Sequence, residues 1–171
     1  MKQGVSYTGV PSIEELEASP GYPSEGALEL GAIVVIECVQ EIPCNPCETA
    51  CPMGAIAVGE PITNLPRLDT AKCTGCGLCI PVCPGQAIFR VDLNHSSGEA
   101  AISFPYEFLP RPHRGDRIVA VDREGKPVCQ ASVLRVVMPA AYDGTAVVTI
   151  LAPREHGMNV RGMQRKRVAR E

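Results

Sequence analysis

Large aromatic side chains are scarce in this sequence, which has no tryptophan and only three phenylalanines among 171 residues. Proline and glycine number 16 each. A chain of this composition forms small, loop-rich cores, and small cores usually need disulfides or metal ions for stability. The length fits one ordinary domain or two small ones. Nine cysteines are available to stabilise them.

Long apolar runs are also missing. The N-terminal stretch MKQGVSYTGV lacks the hydrophobic core of a signal peptide, and GAIVVI (31–36) is far too short to cross a bilayer. We therefore expect a cytoplasmic protein without a membrane span. Thiols stay reduced in that compartment, where clustered cysteines more often bind metal or catalyse than form disulfides.

Motifs for nucleotides, haem and catalysis are lacking as well. The sequence has no phosphate-binding glycine loop, no dinucleotide fingerprint and no C-x-x-C-H string. His95, His113 and His156 lie in loop-like segments outside any metal or nucleophile motif. The sequence therefore predicts no catalytic residue on this chain, and leaves open whether the chain belongs to an enzyme complex.

Most of the cysteines lie in an internal repeat. A shift of 32 residues places the CNPCETACP motif (44–52) on CGLCIPVCP (76–84). Each half is predicted to contain a strand, a cysteine loop, one helical turn after Cys-Pro and a second strand. The four candidate strands are 32–37, 55–59, 67–70 and 87–91.

The second half carries a complete motif, CTGCGLCIPVCP (73–84), with spacing x2, x2, x3 and then proline. A loop with cysteine at every third residue can bind several irons of a cubane cluster, and Gly75 and Gly77 allow it to curl. A structural zinc ion also binds four thiolates, but it does not require four cysteines with this spacing followed by proline. Structural zinc is therefore disfavoured. The four candidate ligands of this motif are Cys73, Cys76, Cys79 and Cys83.

The first half lacks the first cysteine, because Glu41 stands where the repeat places Cys73. We predict that Cys38 supplies the missing thiolate. Five residues separate it from Cys44, which leaves room for the loop to fold back. A three-iron cluster, or Glu41 as an oxygen ligand, remains the alternative.

With these motifs, residues 31–93 resemble the bacterial-type ferredoxins that hold two 4Fe-4S clusters. The resemblance implies an α+β, ferredoxin-like domain with pseudo-twofold symmetry, in which the fourth cysteine of each motif ligates the other cluster. One cluster would then be held by Cys38, Cys44, Cys47 and Cys83. The other would be held by Cys73, Cys76, Cys79 and Cys51.

The remaining chain is predicted to form appendages to this domain. Ser12 and Glu15 fit a capping box for a short helix in the N-terminal arm. Cys129 alternates with polar neighbours on a predicted strand, so we expect a buried thiol without a metal. The predicted segments are an N-terminal arm (1–30), a polar linker (94–114), a small antiparallel β-module (115–152) and a basic C-terminal tail (153–171).

The predicted strands of the β-module are 115–122, 127–138 and 144–151. The basic tail has no aromatic residue to stack on bases and no known binding module, so no nucleic-acid partner is expected.

The predicted function is electron transfer, since a cluster bound by four thiolates has no open position for a substrate. The form of IECVQEIPCNPCETACP (36–52) and the overall layout resemble, more loosely, the iron–sulfur subunits of flavin-dependent dehydrogenases of anaerobic bacteria. Those include dehydrogenases of amino acids such as proline or hydroxyproline. The resemblance implies flavoprotein subunits of a hetero-oligomer as redox partners. The alternatives are a freely diffusing ferredoxin and a structural or regulatory module stabilised by its clusters.

Overall fold

The computed structural model describes residues 2–165. The four short helices of this part are α1 (Val5–Thr8), α2 (Ile13–Glu17), α3 (Glu25–Glu29) and α4 (Pro46–Thr49). The strands are β1 (Ile33–Ile36), β2 (Ile56–Ala57), β3 (Arg67–Leu68), β4 (Ile88–Ser96), β5 (Glu99–Tyr106), β6 (Arg117–Val121), β7 (Pro127–Val137), β8 (Ala146–Pro153) and β9 (Gly162–Met163). Two 3-10 turns occupy Ala140–Tyr142 and Arg154–His156. No helix within 2–165 is long and apolar enough to span a membrane.

The strands form two antiparallel sheets. The larger sheet has seven strands in the order β1-β4-β5-β8-β7-β6-β9, and β2 pairs with β3 in the smaller one. The alternating apolar residues of β5 and β8, such as Ile102, Phe104, Val148 and Ile150, are fully buried. The core of the molecule therefore lies along the middle of the large sheet.

Strand pairing crosses between the two halves of the repeat. In the large sheet Ile36 of β1 lies opposite Ile88 of β4, and in the small sheet Leu68 of β3 lies opposite Ile56 of β2. The two pairs are related by the same 32-residue shift as the cysteines. Each half therefore contributes one strand to each sheet.

The N-terminal arm lies between these two strand pairs. The Leu68 amide donates to the Pro20 carbonyl over 3.0 Å, and the Ile36 amide donates to the Gly21 carbonyl over 3.2 Å. A Cβ atom at Gly21 would lie 2.7 Å from the Pro66 carbonyl oxygen, so only glycine fits this approach. The arm thus satisfies backbone donors of both halves.

The capping box predicted for the arm is confirmed. The Glu15 amide donates to Ser12 Oγ over 3.2 Å, and the Ser12 amide donates to Glu15 Oε2 over 2.8 Å, at the start of α2. Leu16 of this helix is fully buried. Capping of this kind is needed because so short a helix has few internal hydrogen bonds.

The prediction of a linker at 94–114 is wrong for most of that range. Strand β4 continues to Ser96, and β5 follows at once as an inner strand paired with β8. The polar LNHSSGEA segment is the end of a hairpin, in which Gly98 has a φ of +80°. The predicted β-module is therefore continuous with β1 and β4 in one sheet.

The segment predicted as a basic C-terminal tail from 153 is part of the folded domain as far as the structure describes it. A 3-10 turn follows β8, Val160 is fully buried, and Met163 of β9 pairs with Ala120 of β6. The physical reason is that apolar residues between the basic ones pack on the sheet. Residues 166–171 of that prediction lie outside the described residues.

A buried ion-pair cluster joins this C-terminal segment to the end of β1. Glu37 Oε1 accepts hydrogen bonds of 2.6 Å from Arg161 Nε and from the Nη2 of Arg123, and Arg123 Nε donates to Oε2 over 2.8 Å. Burial lowers the pKa of the Arg161 guanidinium, whereas the charge of Glu37 raises it. The negative charge of the buried Glu37 carboxylate, directly before Cys38, is therefore balanced by two arginines that are distant in sequence.

Cys129 is only partly buried, in contrast to the prediction of a buried thiol. It lies near the start of β7, opposite Ala120, where it packs against the edge of the core. Burial raises the pKa of this thiol, and the charge of Glu155 raises it further.

Candidate metal centre

The second cysteine loop is shaped by its glycines and by one arginine. Gly75 and Gly77 have φ angles of +62° and +79°, which favour glycine. A Cβ atom at Gly75 would collide with the carbonyl of Ala32, just before β1. From β4, Arg90 Nε donates to the Gly75 carbonyl over 2.7 Å. The loop is thus held in its curled form from both neighbouring strands.

The three thiols of this loop share a cavity with one thiol of the first half. The cavity has about 300 Å³ of space free of protein atoms, including its opening to solvent, and Val34 and Ile56 belong to its apolar wall. The four cysteines that line it are Cys51, Cys73, Cys76 and Cys79. Among them, Cys79 is buried and Cys76 is exposed.

Burial raises the pKa of the Cys79 thiol to about 12, and negative charge on Cys76, Cys73 and Cys51 would raise it in the same direction. Four thiolates this close together repel one another. Bound cations would offset this repulsion.

The other four predicted ligands also lie near one another. Burial raises the pKa of the Cys47 thiol in α4 to about 11, and the charges of Cys83 and Cys44 act in the same direction. Burial also raises the pKa of the Cys38 thiol, and the charges of Cys83 and Cys44 act in the same direction. The structure therefore brings Cys38, Cys44 and Cys47 of the first half together with Cys83 of the second.

Glu41 is exposed, and the negative charges that act on Cys38 and Cys47 come from other cysteines. Of the two candidates for the fourth ligand, Cys38 is thus the one on which the charges of Cys83 and Cys44 act.

In each half, the last cysteine of the motif accepts a hydrogen bond from the backbone amide four residues further on. The Ala55 amide donates to Cys51 Sγ over 3.2 Å, and the Ala87 amide donates to Cys83 Sγ over 3.4 Å. The two bonds are again related by 32 residues. An N–H donor stabilises negative charge on sulfur, and such bonds tune the potential of iron–sulfur centres.

The donor chemistry fits clusters better than single ions. Within residues 2–165, no three His, Cys, Asp or Glu side chains converge on the position of one metal ion. In a cubane each cysteine binds a different iron, so the ligands surround a volume rather than a point. The four thiols around the largely apolar cavity of the second loop match this requirement.

Comparison with known proteins agrees with this chemistry for the second half. The 4Fe-4S binding domain family matches residues 66–89, which contain the complete cysteine motif. The chain is an iron–sulfur protein. No curated protein matches it, and no solved structure matches it. The match supports metal binding, a 4Fe-4S cluster and electron transfer.

Arg90 was not predicted from the sequence as part of this site. The repeat places Val58 at the equivalent position of the first half, so the arginine is specific to the second. Burial lowers the pKa of its guanidinium, and the charge of Asp92 opposes that change. The only hint in the sequence is a charged residue in a predicted strand of apolar neighbours.

The fit of Gly75 against Ala32 can be tested with a matched glycine. Gly75→Ala should reduce the iron and acid-labile sulfide bound per chain, because the added methyl group displaces the cysteine loop from β1. Gly59 also has a positive φ, of +65°, but a Cβ there meets nothing within 4 Å. Gly59→Ala is therefore the control for backbone strain alone, and it should retain its iron. Equal iron contents in the two variants would contradict the proposed packing of the loop.

Proposed function

We propose that the chain transfers electrons through two 4Fe-4S clusters held in a ferredoxin-like, pseudo-twofold α+β domain. The crossed grouping of the cysteines supports this proposal, because Cys51 lines the cavity of the second loop and the charge of Cys83 acts on Cys47 of the first. The proposed ligands of one cluster are Cys73, Cys76, Cys79 and Cys51. Those of the other are Cys38, Cys44, Cys47 and Cys83.

The arrangement of protein groups favours electron transfer over catalysis at the metal. Four thiolates for each cluster leave no open coordination position for a substrate. When bound, each cluster supplies one-electron redox chemistry. Crossed ligation keeps the two centres in one shared core, which suits them to act as a relay.

The protein controls this chemistry through its own residues. The Ala55 and Ala87 amides donate to the crossing thiols, and the Arg90 guanidinium adds positive charge beside the second loop. Buried Val34 and Ile56 line the cavity of the second loop and help to exclude water from its thiols. Hydrogen bonds, charge and solvent access are the main determinants of cluster potential.

We further propose that the chain is the iron–sulfur subunit of a cytoplasmic, flavin-containing dehydrogenase complex. More than half of the chain lies outside residues 31–93, and large apolar side chains are exposed, among them Leu30, Phe108 and Leu109. Such residues are typical of surfaces that contact another subunit. The first-motif resemblance to subunits of amino acid dehydrogenases points to the same kind of partner.

The ligand role of Cys38 can be tested against a cysteine outside the motifs. Cys38→Ser should lose one cluster or convert it to a three-iron form, so that iron falls clearly below the about eight atoms expected per chain. The EPR spectrum of the reduced protein should change with it. Cys129→Ser, the matched control, should keep both the iron and the spectrum. If Cys38→Ser keeps them while Glu41→Gln loses iron, Glu41 is the ligand.

The subunit proposal is tested by anaerobic affinity purification from the source organism. We expect the tagged chain to elute with flavin-containing subunits, and the eluate to reduce the clusters when the substrate of the flavoprotein is added. Elution as a monomer with reversible redox cycling would instead support a freely diffusing ferredoxin. Clusters that resist reduction, or decompose on reduction, would support the structural module.

A further inference from the structure

One of the eight proposed ligands is more accessible than the others. Cys76 is exposed, whereas the remaining seven are buried or only partly exposed. Electron transfer between proteins requires a close approach of the two redox centres. The surface around Cys76 is therefore the place where the proposed relay comes nearest to solvent.

This surface carries a group of basic side chains. An open cavity beside Cys76 is lined by Arg90, His95 and Arg135, which come from strands β4 and β7. The guanidinium groups of Arg90 and Arg135 are close enough for their charges to interact. We call these three residues and Cys76 the basic face.

One carboxylate balances part of this charge. Asp92 Oδ2 lies 3.6 Å from Arg90 Nη2 and 3.6 Å from His95 Nδ1. Arg135 is exposed, and among residues 2–165 it forms no ion pair. The side chains of the basic face therefore include two arginines against the single carboxylate of Asp92, and this surplus arginine offsets part of the negative charge of a thiolate-bound cluster.

Arg90 has no basic counterpart in the first half of the repeat. Val58 is the repeat equivalent of Arg90, and the residues around Cys44 include the acidic Glu41 and Glu48. The two cysteine loops thus differ in the charged residues that accompany them. Charge patterns of this kind steer protein encounters and select partners.

We propose that the basic face receives an acidic surface of a redox partner protein. The proposal rests on the proposed function, since the electron would pass through the cluster held by Cys51, Cys73, Cys76 and Cys79. One electron moves in each encounter between that cluster and a one-electron redox group of the partner. One centre is oxidised as the other is reduced, and no bond forms or breaks.

The test uses small redox reagents of opposite charge in place of the partner. The dithionite-reduced protein is mixed anaerobically with ferric EDTA, an anion, or with hexaammineruthenium(III), a cation, and its oxidation is followed by stopped-flow absorbance. Arg135→Gln removes one charge from the basic face. Lys126→Gln removes one charge about 30 Å away, at the other end of β7, and is the matched control.

Arg135→Gln should slow oxidation by ferric EDTA about two- to fivefold at low ionic strength, and the effect should fade as salt is added. The rate with hexaammineruthenium should stay unchanged or rise. Lys126→Gln should leave both rates close to those of the wild type.

Two results would overturn the basic face while leaving the proposed function intact. One is equal behaviour of the Arg135 and Lys126 variants. The other is an equal loss of rate with both reagents in the Arg135 variant, which would indicate a general structural effect. A wild-type protein that binds no 4Fe-4S cluster, or does not cycle between redox states, would overturn both proposals together.

Discussion

The exchange of strands between the two repeat halves is the constraint on which the rest of the molecule depends. Strand β1 of the first half pairs with β4 of the second, and β2 pairs with β3. Cys83 precedes β4, and Cys51 precedes β2. The crossed pairing therefore carries each of these thiols to the cysteine loop of the other half. In this arrangement each group of thiols combines three from one half with one from the other.

The remaining elements hold this crossed unit in place. Strand β4 extends beyond its pairing with β1 to become part of the large sheet, and Pro20 and Gly21 accept hydrogen bonds from both halves. Glu37 ties the end of β1, next to Cys38, to Arg123 and Arg161. Removing one partner of a buried ion pair leaves an uncompensated charge. These ion pairs thus connect the C-terminal segment to the residue that precedes Cys38.

Short-range patterns in the sequence predicted the cysteine motifs, the capping box and most strands, because spacing and alternation are local properties. They did not predict how the two parts of the chain join. The polar LNHSSGEA segment has the composition of a linker, but its residues form the turn of the β4–β5 hairpin and the strand ends beside it. Arg161 was assigned to a basic tail because its partner, Glu37, is 124 residues away in sequence. Such pairings depend on the folded topology rather than on composition.

We propose that the eight crossed cysteines hold two cubane clusters. Native mass spectrometry of the protein purified without oxygen tests it most directly, because it measures the mass of the bound inorganic atoms on the intact chain. We expect one main species whose added mass equals two 4Fe-4S clusters. A main species with a single cluster, or with zinc in place of iron and sulfide, would contradict it.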